Sequence, residues 1–250
     1  EYGELAKLYD AFMEEVDYPG WARIMLSLSG LEAGRLKILV LGCGTGNLTA
    51  EFLKEGHQVI ALDISQEMLT EAEKKLRKYR SQLKLVCQDM REMEVGIGFD
   101  ACFCGCDGFN YILEPKELLQ VFKDCHKALR SEGSLVFDLS SLWKLENVLG
   151  NNCFREERSN CEIFWMNRFD PETRKVEMEI TFLVPEETRA DDVTLYRKFE
   201  EFLIQRAYTP DEISRMLLYE GFEDVRIFGS DGSGSPREKD ERIFISCRKK

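Results

Sequence analysis

The chain has 250 residues, 44% of them hydrophobic, which is enough to bury a sizeable core either as one domain with an insertion or as two domains. Its 34 basic against 46 acidic side chains give a net charge of −12, which repels polyphosphates at long range and argues against nucleic acid as a partner. Apolar runs such as Ile38 to Leu41 are far too short to cross a bilayer, and the acidic first stretch, residues 1 to 20, lacks a signal-peptide core.

Nine cysteines without regular framework spacing suggest reduced thiols and a cytoplasmic setting. The chain opens at Glu1 rather than Met, so further residues are expected ahead of it. The densest basic stretch, Lys74 to Arg80, shares its helix with Glu71 and Glu73 and reads as a solvated face with pairs such as Glu71 to Lys75.

Two short amphipathic helices come first. Leu5, Leu8, Tyr9, Phe12 and Val16 share one face, Trp21, Ile24, Met25 and Leu28 another, with a break expected at Tyr18-Pro19-Gly20. A strand over Lys37 to Leu41 then leads to a helix over Asn47 to Glu55, closed by Gly56, and a second strand over Gln58 to Leu62. Ser65 is the N-cap candidate of a long helix that turns Met68, Leu69, Ala72 and Leu76 inward. Strands follow at Leu83 to Cys87, Phe99 to Cys106 and Leu135 to Leu139. Between the last two, Pro115 opens a helix with Leu118, Phe122, Cys125 and Leu129 as its stripe and Gly133 past its end. Strands alternating with helices imply an α/β fold with a parallel sheet covered on both faces.

The pattern changes after Ser140. Residues from about 152 to 206 alternate aromatic and charged side chains, with Asp170-Pro171-Glu172 as a turn, which suggests an inserted antiparallel sheet. Thr209-Pro210-Asp211-Glu212 is a capping box for a helix that ends at Gly221. Two last strands, Glu223 to Phe228 and Arg242 to Cys247, flank a Gly- and Ser-rich loop and should pair antiparallel.

The sharpest local signal is Leu41-Gly42-Cys43-Gly44-Thr45-Gly46-Asn47, a glycine turn between a strand and a helix, where open α/β sheets place ligands. A dinucleotide fingerprint needs glycine at the first, third and sixth positions; the sixth is Asn47 or Thr49, so it fails in both registers. Asp63 ends the second strand, where a carboxylate can accept from two ribose hydroxyls, and Asp89 follows the third, where it can take an adenine amine beside the N–H of Met90.

At this point the sequence resembles the S-adenosylmethionine-dependent methyltransferases with a Rossmann-like fold, on ILVLGCGTGNLT, VIALDISQEML, CQDM and CDGFNY in that order and on the terminal hairpin. The opening LAKLYDAFMEEVDYPGW is similar to the N-terminal cap of a bacterial small-molecule subgroup, laid out like glycine N-methyltransferase and the amino-sugar N,N-dimethyltransferases. The resemblance implies a seven-stranded, mostly parallel sheet with an antiparallel last strand, a helical cap over residues 1–36, and an S-adenosylmethionine-binding domain over 37–140 and 208–250. An inserted antiparallel β lid over 141–207 completes it. It further implies that Gly42 and Gly44 line the methionine part of the cofactor and that Cys43 and Gly46 belong to the same cofactor site. Asp63 would hold the ribose with Ile64 beside it, Met68 and Met90 would flank the adenine, and Asp89 would read its amine.

ACFCGCDGFNY, residues 101 to 111, carries three alternating cysteines. On a strand, Cys102, Cys104 and Cys106 lie on one face about 6.6 Å apart per step, too far for one zinc with bonds of about 2.3 Å. They read as core, and no metal is expected. By the resemblance Cys106 borders the cofactor, and Asp107, Asn110 and Tyr111 sit where its methyl group meets the acceptor. Asp107 would orient or deprotonate an amine, or bind the cofactor's amino group. Tyr9, Tyr18 and Trp21 would close over the sulfonium. Trp165, Arg168 and Arg206 of the insertion are candidates for the acceptor, a small polar molecule and most readily an amine. Arg197 is a further cation that could hold an acidic group.

His57 and His126 are expected to be structural, and the insertion reads Phe202-Leu203-Ile204 where relatives often carry a histidine, so no histidine base is expected. The Asp/Asn-Pro-Pro-Tyr motif of base-modifying enzymes is absent. Two alternatives stand beside a methyltransferase: a nicotinamide oxidoreductase, which the missing glycine disfavours, and a cofactor-binding protein without catalysis.

Overall fold

In the computed structural model, residues 5–31, 34–158, 161–188 and 193–250 are described. The first residues of the expected cap, the side chain of Leu5, and residues 159–160 and 189–192 of the expected insertion lie outside this set. Among the described residues no helix is long and apolar enough to cross a membrane.

Helix α1 spans Leu5–Phe12 and α2 spans Tyr18–Ser29. Tyr18-Pro19-Gly20 is therefore the first turn of α2 rather than a break. Asp17 caps it by accepting from the Gly20 N–H at 2.9 Å, and proline is tolerated there because no intrahelical donor is lost.

The main sheet has seven strands: β1 (Lys37–Leu41), β2 (Gln58–Asp63), β3 (Leu83–Cys87), β4 (Phe99–Cys104), β5 (Leu129–Ser140), β10 (Phe222–Phe228) and β11 (Arg242–Lys249). Their order is β10-β11-β5-β4-β1-β2-β3. β1 to β5 run parallel, while β11 is antiparallel to both β5 and β10. Helices α3 (Asn47–Lys54), α4 (Gln66–Leu76), α5 (Pro115–Ala128) and α6 (Pro210–Tyr219) join them. β1 to β3 place Leu39, Val40, Leu41 and Leu62 in two buried clusters, one on each face of the sheet. The central strands β1 and β4 are buried on both faces, so they carry continuous apolar runs rather than alternation. Phe52 of α3 stacks on Phe103 of β4 at 4.8 Å, and burying one such ring stabilises the fold by about 1.5 to 3 kcal/mol.

Two strand ends differ from the sequence expectation. β4 stops at Cys104, so Cys106 is not its third alternate residue and the run of three cysteines on one face is broken. β5 begins at Leu129, where the helical stripe was expected to continue, and Gly133 lies within it. An added Cβ there would stand 2.9 Å from the Arg130 carbonyl oxygen, at a register irregularity opposite Phe99 and Ala101.

A second sheet is wholly antiparallel, in the order β6 (Cys153–Arg158), β7 (Cys161–Asp170), β8 (Lys175–Thr188) and β9 (Thr194–Arg206). Asp170 nucleates the expected turn by accepting from the Glu172 N–H at 2.9 Å and the Thr173 hydroxyl at 2.7 Å. One face buries Ile163, Val176, Met178, Ile180 and Phe182, and Phe12 of α1 reaches this face against Trp165 and Phe182. A π-helical turn at Lys144–Leu149, which the sequence pattern does not announce, leads from β5 into this sheet.

Candidate active site

The carboxyl ends of β1, β2 and β3 and the chain just beyond β4 converge on one cavity of about 260 Å³. The first wall is the glycine turn after β1. Gly42 has φ +62°, and an added Cβ would stand 3.3 Å from the terminal methyl of Met90, across the space a ligand needs. Gly46, at φ +81°, serves packing instead: a Cβ would meet Leu76 of α4 at 2.7 Å.

Asp63 fixes that turn from the end of β2. Its Oδ2 accepts from the Gly44 N–H at 2.7 Å and its Oδ1 from the Ser65 N–H at 2.9 Å. Burial pushes its pKa above the usual carboxylate value, against the pull of these backbone donors. Each oxygen keeps a further lone pair, so the carboxylate can still accept from a ligand. Ile64, 59% exposed, forms the rim, and Met68 and Met90 are on the lining beside it.

Asp89 also lines the cavity, but not as a bare carboxylate. It accepts from the Arg91 N–H at 2.9 Å and from the Arg91 guanidinium, which also reaches Glu117. The hydrogen bonds from Arg91 hold Asp89 below the usual carboxylate range, against burial. Arg91 is a site residue the sequence reading missed, since nothing in Met90-Arg91-Glu92 marks one charge of a mixed turn as facing a pocket.

Beyond β4 the chain makes a tight turn in which Cys106, at φ +56°, and Asp107, at φ +51°, are both left-handed. Such conformations cost non-glycine residues on the order of 1 to 3 kcal/mol each, so surrounding contacts must hold them. Asp107 Oδ1 accepts from Arg242 Nη2 at 2.9 Å and its Oδ2 from Gln205 Nε2 at 2.6 Å, while its N–H donates to Asp138 Oδ2 at 3.0 Å. Arg242 Nη1 completes the cluster by donating to Asp138. Burial would raise the Asp107 pKa, but Arg242, then Lys144 and Gln205, bring it below the usual range; Asp138, buried and next to Asp107, is raised. Asp138 carried a usable signal, an acid inside the apolar run Leu135 to Leu139. Arg242 and Gln205 carried none.

The structure gathers Tyr9, Gly42, Gly44, Asp63, Ile64, Met68, Asp89, Met90, Cys106 and Tyr111 around this cavity, together with Gly105 and Ile112. Tyr18 and Cys43 line a small hollow of about 20 Å³ against the other side of the glycine turn, shared with Cys106. Other candidates do not line this cavity. Asn110 does not face the cavity: it is fully buried, its amide donating to the carbonyls of Ser140 and Arg206 and accepting from the Ser140 N–H. Trp21 is off the cavity, edge-to-face with Phe244 and with the Arg242 guanidinium 4.5 Å from its ring centre. Arg168 is exposed and paired with Glu177, its neighbours Asn167 and Phe169 being the buried ones. Arg206 is buried over the Tyr208 ring and donates to Glu212 at 2.9 Å. Trp165 packs on Phe12 at 5.3 Å.

Neither histidine lines the cavity. His57 Nδ1 accepts from the Leu36 N–H at 3.2 Å, and His126 packs edge-on against Phe222. Lys75, expected to pair with Glu71, instead reaches Asp10 of α1 at 2.6 Å. Asp10 in turn accepts from Thr45 and Asn47, which fastens α1 across the glycine turn. Among the described residues no cluster of histidine, cysteine or acid is arranged to hold a metal.

The donor set fits a nucleoside carrying a sulfonium better than a dinucleotide. Asp63 can accept from two hydroxyls, two methionines line the cavity, and among the described residues the one cation on the lining, Arg91, is spent on Asp89 and Glu117 rather than left for a pyrophosphate. The fold and cavity thus define an S-adenosylmethionine-dependent methyltransferase architecture. A family described as a methyltransferase domain matches residues 38–133. A methyltransferase-family protein of Geobacillus sp. (strain WCH70) is 31% identical over 251 residues, covering 99% of each chain. An S-adenosylmethionine-dependent methyltransferase from Clostridium acetobutylicum has the same fold with a TM-score of 0.86 at 30% identity, over 99% of this chain and 98% of that one. A sugar N-methyltransferase from Streptoalloteichus shares the fold at 20% identity, with a TM-score of 0.73 over 97% and 93%. The chain belongs to the S-adenosylmethionine-dependent methyltransferases with a Rossmann-like fold.

Proposed function

We propose that this enzyme methylates a small polar acceptor, an amine, beneath a roof formed by the β6–β9 sheet and the N-terminal helices. The observation that carries this reading is the docking of the second sheet at the cavity: Gln205 and Arg206, at the end of β9, are bonded to Asp107 and Asn110 of the turn that supplies Cys106 and Tyr111 to the lining. A cavity of about 260 Å³ bordered by Tyr9 and Tyr111 suits a compact ligand better than a polymer. The sugar N-methyltransferase neighbour supports an amine by analogy of fold. In this reading residues 1–36 are the cap, 37–140 and 208–250 the cofactor domain, and 141–207 the lid.

S-adenosylmethionine supplies an electrophilic methyl group, so transfer is an in-line displacement in which the acceptor's lone pair attacks. Gly42, Gly44 and the hollow beside Tyr18 and Cys43 would hold the amino-acid end. Asp63 would hold the ribose, Met68 and Met90 would flank the base, and Asp89, held by Arg91, would meet its amine. Tyr9 and Tyr111 border the transfer point; burial raises the Tyr9 pKa, so its hydroxyl stays neutral and donates or accepts without charge. Asp107 is not a general base here, because both of its oxygens are engaged and its proton affinity is lowered. The acceptor must arrive with its lone pair free, and the protein's task is alignment and exclusion of water.

The test is a thermal-shift panel of S-adenosylmethionine, S-adenosylhomocysteine and the nicotinamide dinucleotides, followed by a turnover screen of small amines, acids and phenols. Stabilisation by the two adenosyl compounds and turnover among the amines are expected. Turnover confined to acids or phenols, or methylation of RNA, overturns the amine reading.

A pH dependence follows from Asp63. The ionised carboxylate is the acceptor form, and its folded pKa is raised, so affinity for S-adenosylhomocysteine is full at higher pH and falls as pH drops through a value above the ordinary carboxylate pKa of about 3.9. Calorimetry from about pH 7 down to about pH 4 should show this decline, and Asp63→Asn should remove it although Asp138 still titrates. A flat profile in the unaltered protein would contradict the assignment.

A further inference from the structure

We infer that Arg242 is a positioning residue for methyl transfer, joining the cap and the inserted sheet to the cavity wall through the Asp107 turn. It lies at the start of β11, outside the cavity, with its side chain only 16% exposed. Its planar fork spans two carboxylates on different elements: Nη1 donates to Asp138 of β5, and Nη2 to Asp107 beyond β4. Its guanidinium face covers Trp21 of α2, 4.5 Å from the ring centre. The second oxygen of Asp107 is taken by Gln205 of β9, and Asp138 also takes the Asp107 N–H. One side chain therefore contacts the cap, the main sheet and the turn directly, and the inserted sheet at one remove.

The turn it holds is one the backbone does not favour, with two consecutive left-handed residues that lack glycine's freedom. The same turn places Cys106 and Gly108 on the lining and carries Tyr111 at its end. Removing Arg242 leaves two buried carboxylates facing each other across a shared N–H, a pair that sheds one charge by taking up a proton. That proton goes to Asp138, whose pKa is already raised, and a protonated Asp138 is a poorer acceptor for the Asp107 N–H, so the turn loosens and the contact that Gln205 makes to it weakens as well. Lysine can return the charge but not the fork, because a single ammonium cannot keep both bonds in the plane that Arg242 uses.

The inference rests on the family assignment and not on the acceptor being an amine. The experiment compares unaltered protein with Arg242→Met, Arg242→Lys and Gln205→Leu, using S-adenosylhomocysteine as the probe. Amide exchange at residues 105–111 and at 200–206 should slow together when it binds the unaltered protein. In Gln205→Leu only 105–111 should slow, and in Arg242→Met neither segment should, with the dissociation constant within about threefold of the starting value in every variant. With any acceptor returned by the screen, kcat of Arg242→Met should fall at least about tenfold with KM for the cofactor nearly unchanged, and Arg242→Lys should recover part of it. Joint slowing of both segments in all variants overturns the proposal, as does absence of any response at 200–206 in the unaltered protein. A loss of cofactor affinity that tracks the loss of kcat also overturns it. Should Arg242→Met fail to fold, Gln205→Leu decides by the same exchange measurement. That arm needs no acceptor, so it stands or falls independently of the amine reading.

Discussion

Replacing Asp63 with alanine is expected to weaken S-adenosylmethionine binding by about 1.5 to 3 kcal/mol, or roughly ten- to 150-fold in dissociation constant. Two losses combine. The ligand's hydroxyls lose a charged acceptor in a site where water does not replace it well, and the Gly44 N–H loses the partner that holds the glycine turn at 2.7 Å. The Ser65 N–H loses its partner as well, at the entrance to α4, although the Ser65 hydroxyl still caps that helix through the Met68 N–H. Burial disfavours the charged form of Asp63, which offsets part of the cost of leaving the Gly44 and Ser65 N–H groups without a partner, so the unliganded fold should lose less stability than two orphaned donors alone would imply. Isothermal calorimetry with S-adenosylhomocysteine checks the affinity, and urea unfolding without ligand checks the fold. Unchanged affinity would remove Asp63 from the ribose position.

Asn110→Ala is expected to destabilise the protein by about 2 to 4 kcal/mol, because it strips partners from three buried backbone groups at once. The asparagine amide donates to Ser140 O at 3.2 Å and Arg206 O at 2.9 Å and accepts from Ser140 N at 3.0 Å, with no exposure to solvent that could supply replacements. Asn110→Asp should fare no better, since it keeps the acceptor, loses the donor and adds a charge in the same place. Equilibrium urea denaturation measures the effect directly. A stability change below about 1 kcal/mol, combined with a selective loss of turnover, would instead return Asn110 to the catalytic role that its place in the motif suggested.

That contrast shows where sequence is informative. The order of strands and helices follows from periodicity and punctuation: glycine after β1, Ser65 before α4, and the Thr209 capping box, whose two reciprocal bonds are present. Asp63 and Asp89 are legible because each follows a strand whose end is predictable, so their positions are local properties of the chain. The side chains of CDGFNY are not legible in the same way. Whether Asp107, Asn110 or Tyr111 meets solvent depends on two left-handed residues, and those depend on Asp138, Gln205 and Arg242, which are 31, 98 and 135 positions away from Asp107. The aromatic residues of the cap fail for a related reason. Tyr9 and Trp21 both belong to amphipathic helices, and only the packing of α1 and α2 decides that Tyr9 reaches the glycine turn while Trp21 lies beneath Arg242. Arg168 and Trp165 sit on one strand three residues apart, and an odd separation on a strand sends them to opposite faces.

The chain departs from the main sheet at Ser140 and returns at Arg206, and the amide of Asn110 holds both points. Departure and return are thus pinned together whatever lies between them, so the intervening residues form a closed excursion whose length the main sheet does not feel. Insertions into such an excursion add only a slowly growing loop-closure cost, since the ends are already fixed. In evolutionary terms this makes residues 141–205 an exchangeable cassette: drift in its strands and turns need not disturb the register of the main sheet. Gln205, the last residue before the return point, is where that freedom should end, because a change there reaches the wall of the cavity itself.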